Sequence, residues 1–472
     1  MKEPPRHPPR DERSNASFEA DDRSWPGGAD DHVAAPFYDI ESHRPPRQRR
    51  DERDHGPPPV VLPRSEHPVS RKLVSPAALK VLYRLRKSGF RSYLCGGAVR
   101  DLMAGRQPKD FDIATDARPQ EVRRLFRNAR IIGRRFRLVH VIFEGETVEV
   151  STFRRTPNPE EQRAPDEALI TSDNTFGTPR EDAFRRDFTI NALFYNIEDF
   201  SIVDYCGGIA DLERKLVRVI GDPDLRFRED PVRMMRACEF AGRLGFSIEA
   251  ETQSAIQRHR LELKKAAAPR LTEELLQLLR CGASGASAQW MLELGLLEVL
   301  LPEALAMIRA GERGIGSFAG ILPTLDRFAK EGRELPEQVL LGALLLPEVM
   351  MRRFEHEMAS GRWMNLNDFR LAVDATLEPF LERFSVANFK VGLVVGALEG
   401  FHRLCDRRYT PAQRIRVASK SYFDDALWLL EILVAATGEG HEALEHWQAA
   451  RRGRLRRPEP GVERKRRPRR RR

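Results

Sequence analysis

Two aspartates one residue apart, Asp110 and Asp112, stand first among the side chains that could do chemistry. At i and i+2 on a strand both project from one face, while Phe111 between them turns the other way and can anchor a core. Carboxylates held this close repel, and a divalent cation relieves the repulsion. In phosphoryl transfer such a pair holds two metal ions about 4 Å apart, one activating the attacking hydroxyl and one the leaving phosphate. Alone, an Asp-x-Asp is more often a solvated turn, so its neighbours have to decide.

Upstream stands Gly96-Gly97-Ala98-Val99-Arg100-Asp101. Glycines between a strand and a helix let backbone N–H groups approach a phosphate, and the helix N-terminus favours its charge. Arg100 could clamp the same phosphates with its planar fork. Downstream, in Thr147-Val148-Glu149-Val150, the valines face one side and Glu149 the other. Beside Asp110 and Asp112, Glu149 would be a third carboxylate facing the metals. Farther on, Asp230 precedes Pro231 as a helix cap would, and Arg233 lies on the same side three residues later. An Asp acceptor and an Arg donor can meet the amino group and ring nitrogen of adenine, and the same pair could serve cytosine in another setting; capping competes for the same aspartate. His140, in an apolar strand, reads as a satisfied core histidine.

Four motifs in order, spread over residues 90 to 300, resemble the class II nucleotidyltransferases, which comprise CCA-adding enzymes and bacterial poly(A) polymerases. They are Gly96-Gly97-x-x-Arg100-Asp101, Lys109-Asp110-Phe111-Asp112, Arg185-Arg186-Asp187-Phe188-Thr189-Ile190-Asn191, and Glu229-Asp230-Pro231-Val232-Arg233-Met234-Met235-Arg236. The resemblance implies metal and catalysis on Asp110 and Asp112, and an active-site acid at Asp187, with Glu149 as its competitor. It also implies nucleotide binding by Gly96, Gly97, Arg100, Arg186, Asn191, Asp230, Arg233 and Arg236. Mg²⁺, as two ions in the family's manner, would be the cofactor, ATP the substrate and RNA 3′ ends the partner. Ile131 to Val141 resembles the polymerase branch, which implies untemplated polyadenylation in mRNA processing and decay. The alternatives are CCA addition to tRNA and, from another class, an RNA-binding protein on an inactive transferase fold.

These motifs need a scaffold. The sequence predicts a helix from Ser75-Pro76 and a strand at Ser92–Cys95. A second helix should follow from Ala98, then a strand around Lys109–Ile113, a helix from Pro119, and two strands at 138–143 and 147–153. Residues 155–182 read as a loop, and from about 228 to 450 the chain reads as helical, including a buried helix at Val339–Met351. The expected class is α+β: a small mixed-sheet head, an all-helical neck and body, and disordered termini. The expected boundaries are a Pro/Arg-rich extension at 1–70, the head at 71–215, the neck at 216–300, the body at 301–450 and an arginine-rich tail at 451–472.

Charge is concentrated. The 472 residues carry +9, but the last 22 hold 13 Arg or Lys against 2 Glu, leaving the remainder at −2. A terminal basic arm suits nucleic acid. The five cysteines are scattered and read as buried thiols, not a disulfide framework or a zinc site. His441 and His446, five apart on a helix, cannot share a metal as an i, i+4 pair can. No apolar run reaches membrane-spanning length, and no secretory core opens the chain; a cytoplasmic protein is expected.

Overall fold

The computed structural model describes residues 56–133, 137–156, 175–309, 318–406 and 408–452. The disorder expected before residue 56 and after 452, and most of the loop expected at 155–182, lie outside the described residues.

The head is built on one eight-stranded sheet. Its strands are β1 (Val60–Leu62), β2 (Ser92–Cys95), β3 (Asp112–Thr115), β4 (Ala129–Ile132), β5 (Leu138–Phe143), β6 (Glu146–Thr152), β7 (Leu193–Asn196) and β8 (Ile202–Asp204). Their order is β1-β8-β7-β2-β3-β6-β5-β4. Only β3 and β6 run parallel; every other pairing is antiparallel.

Alternation decides which face is covered. Ile113, Val139, Val141, Val148 and Val150 are buried, in one core with Ala78, Val81, Leu82 and Leu85 of the helix Pro76–Lys87. That helix starts where the sequence placed it: the Ser75 hydroxyl accepts from the Ala78 N–H, a cap worth about 1 kcal/mol. The opposite face carries a smaller apolar cluster of Cys95, Ala114, Phe153, Ala183, Ala192, Phe194, Val203 and Ile220, and leaves polar side chains of β3, β5 and β6 uncovered.

Four expectations about the scaffold are corrected. The strand foreseen from Lys109 begins at Asp112, because its partner β2 ends at Cys95, opposite Asp112, and turns away at Gly96. The extension foreseen up to residue 70 is already ordered at Val60–Leu62, which pairs with Ile202–Asp204 as an edge strand. A helix, Pro179–Arg185, starts inside the expected loop, fixed by a reciprocal capping box between Thr178 and Glu181. The neck is not purely helical, since Leu216–Val217 and Ser247–Ile248 form a short parallel pair.

Beyond the head, helices Pro223–Glu229, Arg233–Leu244, Ala250–His259 and Ala268–Arg280 lead into a helical body. Its centre is Glu337–Ser360, whose residues Val339 to Leu346 are all buried as the sequence predicted. The last helix, His441–Arg451, runs one residue past the expected boundary at 450.

Candidate active site

Asp112 opens β3 on the uncovered face, in register with Glu149 of β6 on one side and Cys95 of β2 on the other. Cross-strand partners share a face, so Glu149 and Asp112 point the same way. Asp110 precedes the strand and is exposed. Burial raises the Asp112 carboxyl pKa to about 6, with the charges of Glu149 and Asp110 adding to the effect and Arg186 opposing it. Three carboxylates thus share one neighbourhood on the open face. Among the described residues no three His, Cys, Asp or Glu side chains are close enough to hold a metal ion by themselves. The donor set still suits Mg²⁺, which takes one or two carboxylates and completes its shell with water and substrate phosphate oxygens.

The floor beside Asp112 is polar and fixed. Cys95 is buried, its thiol pushed up to about 11 chiefly by burial, and it contacts the Asp112 carbonyl at 3.6 Å. The Arg186 guanidinium donates to Asp182 (3.0 and 3.2 Å) and to the Asn191 carbonyl (3.2 Å), and lies over the Phe194 ring. Gly96 has φ +71, and a Cβ there would lie 3.1 Å from an Arg186 nitrogen. The glycine therefore meets two demands at once, left-handed backbone and close approach.

The structure does not bring Asp187 into the carboxylate group. Its Oδ2 accepts from Arg236 Nε (2.9 Å) and Nη2 (2.6 Å), and its Oδ1 from the Phe188 N–H and Asn191 Nδ2. Burial works against its charge, but Arg236, Asn191 and the Phe188 N–H outweigh burial and hold the pKa below the usual carboxylate range. Arg236 also donates to Glu274 of the helix Ala268–Arg280. Arg100 is likewise turned inward: 2% exposed, it donates to Asp101 and to Asn191 Oδ1 (2.6 Å) and lies over Phe240. Arg100, Asn191, Asp187, Arg236 and Glu274 form one polar chain from the glycine turn to the neck. Arg100 and Arg236 both hold this frame through these bonds.

Asp230 does not cap the helix that follows. Val232 is at the N-cap, the Pro231-Val232 turn having displaced the aspartate. Its carboxylate instead accepts from Arg270 (2.8 Å) and lies 3.9 Å from Arg233 Nε. Arg233 donates to the Arg226 carbonyl, and burial with Arg226 nearby pulls its pKa down. The Asp–Arg pair foreseen for base reading is therefore adjacent and not committed to capping. His140 is also corrected: it is no core residue but half-exposed, 35% against 43% for Glu149, with its Nε2 3.7 Å from the Glu149 carboxylate.

Sequence reasoning missed Arg226, whose Nη2 donates to the carbonyls of Arg185 (2.9 Å) and Arg186 (2.6 Å) and so ties neck to head. It also missed Gly208, where a Cβ would lie 2.2 Å from the Thr189 carbonyl oxygen. Its pairing with Gly207 was the available signal.

Residues 92–218 match the family described as poly A polymerase head domain, and residues 245–308 the one described as probable RNA and SrmB-binding site of polymerase A. Both matched stretches fit the class II nucleotidyltransferase family. The chain is 48% identical to poly(A) polymerase I of Salmonella typhi over 248 residues, 52% of this chain and 53% of that protein. It is 42% identical to the CCA-adding enzyme of Bacillus velezensis over 224 residues, 47% of this chain and 54% of that one. The matched part spans about half the length of these curated relatives. The nucleotidyltransferase fold extends farther: the Bacillus stearothermophilus CCA-adding enzyme in complex with CTP aligns over 80% of this chain and 82% of its own, at 26% identity and a TM-score of 0.52. No helix among the described residues is long and apolar enough to cross a membrane.

Proposed function

We propose that this chain is a polynucleotide adenylyltransferase that extends RNA 3′ ends with AMP from ATP, without a template. The observation that carries the reading is the pairing of Asp112 with Glu149 on the open sheet face, with Asp110 just ahead of the strand and a glycine turn beside it, in a head nearly half identical to poly(A) polymerase I. Asp110 and Asp112, with Glu149 in register, would hold Mg²⁺, which supplies activation of the attacking hydroxyl and charge neutralisation on the phosphates. The chain's own groups do the rest. The Gly96 N–H donates to the Leu193 carbonyl, and the turn would offer the Gly97 N–H, at the start of the helix Gly97–Met103, to the triphosphate. The Arg186 charge favours ionised Asp112. Asp187 aligns Arg236 and Asn191, and Asp230 with Arg233 offers an acceptor and a donor to the adenine edge. The head ends near 215, the neck at 300 and the body at about 451, with the arginine-rich tail beyond. A cytoplasmic place in mRNA processing and decay follows from this activity.

CCA addition is the second reading, favoured by the 42% identity to a CCA-adding enzyme and by the fold likeness just described. The deciding experiment incubates the protein with a generic RNA and, separately, with tRNA lacking its CCA end, supplying each nucleotide alone with Mg²⁺. Long adenylate tails on the generic RNA support the proposal. Addition that stops once CCA is restored overturns it in favour of the second reading.

A further inference from the structure

We infer that His140 and Arg130 form a ledge that holds an RNA phosphodiester next to the reacting 3′ end. One cross-strand row runs over the uncovered face of the sheet: Asp112 on β3, Glu149 on β6, His140 on β5 and Arg130 on β4. Strands lie about 4.8 Å apart, so the backbone of His140 is about 10 Å from that of Asp112 and Arg130 about 14 Å. The row changes sign along its length, from carboxylates to an imidazole and then a guanidinium. Arg130 is exposed, and its side chain makes no hydrogen bond or ion pair among the described residues. His140 stands 3.7 Å from Glu149 and half open to solvent. Even neutral, its ring keeps one N–H donor.

Direction supplies the rest of the argument, which rests on the proposed transfer reaction. The groups assigned to the incoming nucleotide all lie on the β2–β7 side of Asp112: the Gly96-Gly97 turn after β2, Asn191 just before β7, and the neck residues tied to that turn through Asp187. In-line displacement puts the attacking hydroxyl opposite the departing pyrophosphate. The RNA 3′ end therefore comes over the other side, across β6, β5 and β4. There the first N–H donors it meets in this row are the His140 ring and the Arg130 guanidinium.

The test uses the full chain, a six-nucleotide RNA and the variants Arg130→Ala, Arg130→Lys, His140→Ala and His140→Gln. Steady-state kinetics with RNA and ATP varied separately are paired with binding of the same RNA by fluorescence anisotropy, without ATP. Each alanine variant should raise the KM for RNA about five-fold, leaving the KM for ATP and kcat within about two-fold. Binding should weaken equally, and Arg130→Ala should flatten the salt slope by about 0.7, one single-strand phosphate contact. Arg130→Lys and His140→Gln should restore most of the loss. A raised KM for ATP with RNA untouched would assign the ledge to the nucleotide and overturn the inference. No change in either would make it a solvated edge and overturn it too. A wild-type protein that binds RNA but adds no AMP sinks the polymerase reading alone if the alanine variants still weaken binding.

Discussion

Asp112 sits between two other carboxylates and is partly withdrawn from water, so its charge is maintained at a cost the fold alone does not require. Asp112→Asn removes both the charge and the oxygen proposed to hold the metal, and Asp110→Asn does the same two residues earlier. Either should lower nucleotide addition by at least about 10³-fold, with the thermal midpoint unchanged or slightly raised. Radiolabelled AMP incorporation and a melting curve check both parts; near-normal addition by either variant would remove these residues from the chemistry. Asp187 should behave differently. Its native pKa is depressed, so its stabilisation is present above the unfolded value near 3.9 and is lost as pH falls through the native one. Asp187→Asn leaves Arg236 without a counter-charge and should cost about 2 kcal/mol at pH 7. That is less than the roughly 3–5 of a fully buried pair, because Arg236 keeps about a third of its side chain in water. Urea titrations from pH 8 to 3 should show a constant gap down to about pH 5 that narrows below pH 4. A gap that persists unchanged at pH 3 would mean the loss is packing and not charge. At this scale the sequence was informative where local geometry suffices: strand alternation put Glu149 on the open face beside Asp112, whereas Asp110 lies ahead of the strand on which its spacing placed it. It misled where a tertiary partner decides, since nothing local shows that Asp187 meets Arg236 49 residues away.

Elements fix these residues through a few close approaches. The turn Asp187–Asn191 is held from three sides: by Arg226 bonding the carbonyls just before it, by Arg100 on Asn191, and by the helix Gly208–Glu213 pressed against Thr189. The last contact includes a bond from the Thr189 hydroxyl to Asp211 (2.7 Å), and it exists because position 208 has no side chain. Gly208→Ala would put a methyl group 2.2 Å from a backbone oxygen, which cannot swing aside as a side-chain tip can. Moving the turn shifts Asn191 and Asp187 together. The variant should lose about 1–3 kcal/mol and also reduce nucleotide affinity, although residue 208 lies outside the four motifs. Denaturation midpoints with and without ATP measure both effects; a variant with unchanged midpoints would show that the turn has room. Element boundaries were legible where caps announce them, as at Ser75-Pro76. They were hidden where pairing creates the element. Val60–Leu62 is three apolar residues in a polar stretch, and it becomes a strand only because Ile202–Asp204 offers an edge. The same holds for the short pair Leu216–Val217 and Ser247–Ile248, 31 residues apart in register.

At the scale of the molecule, charge and chemistry are separated along the chain. The motifs lie between residues 96 and 236, whereas the densest positive charge, 13 Arg or Lys in 22 residues, lies at 451–472 behind a helical body. The rest of the chain is slightly acidic, so it offers RNA little general attraction outside local features of its surface. Arginines in a terminal arm neutralise phosphates and release counterions without reading sequence, which suits the proposed extension of many different 3′ ends. Because the last helix continues through Arg451, the cut that spares the fold comes after Arg452. A chain ended there should keep the melting midpoint of the full protein. It should bind RNA more weakly, by about ten-fold or more at low salt, with a flatter dependence of affinity on salt. Its kcat at saturating RNA should stay within about two-fold, because none of the four motifs and none of the three carboxylates is removed. Salt titrations of RNA binding and saturation curves for both chains make the comparison. Equal affinities and slopes would leave the tail without a role in RNA binding. A fall in kcat at saturating RNA, with affinity intact, would instead mean that the arm takes part in the transfer itself, and the separation of charge from chemistry would fail.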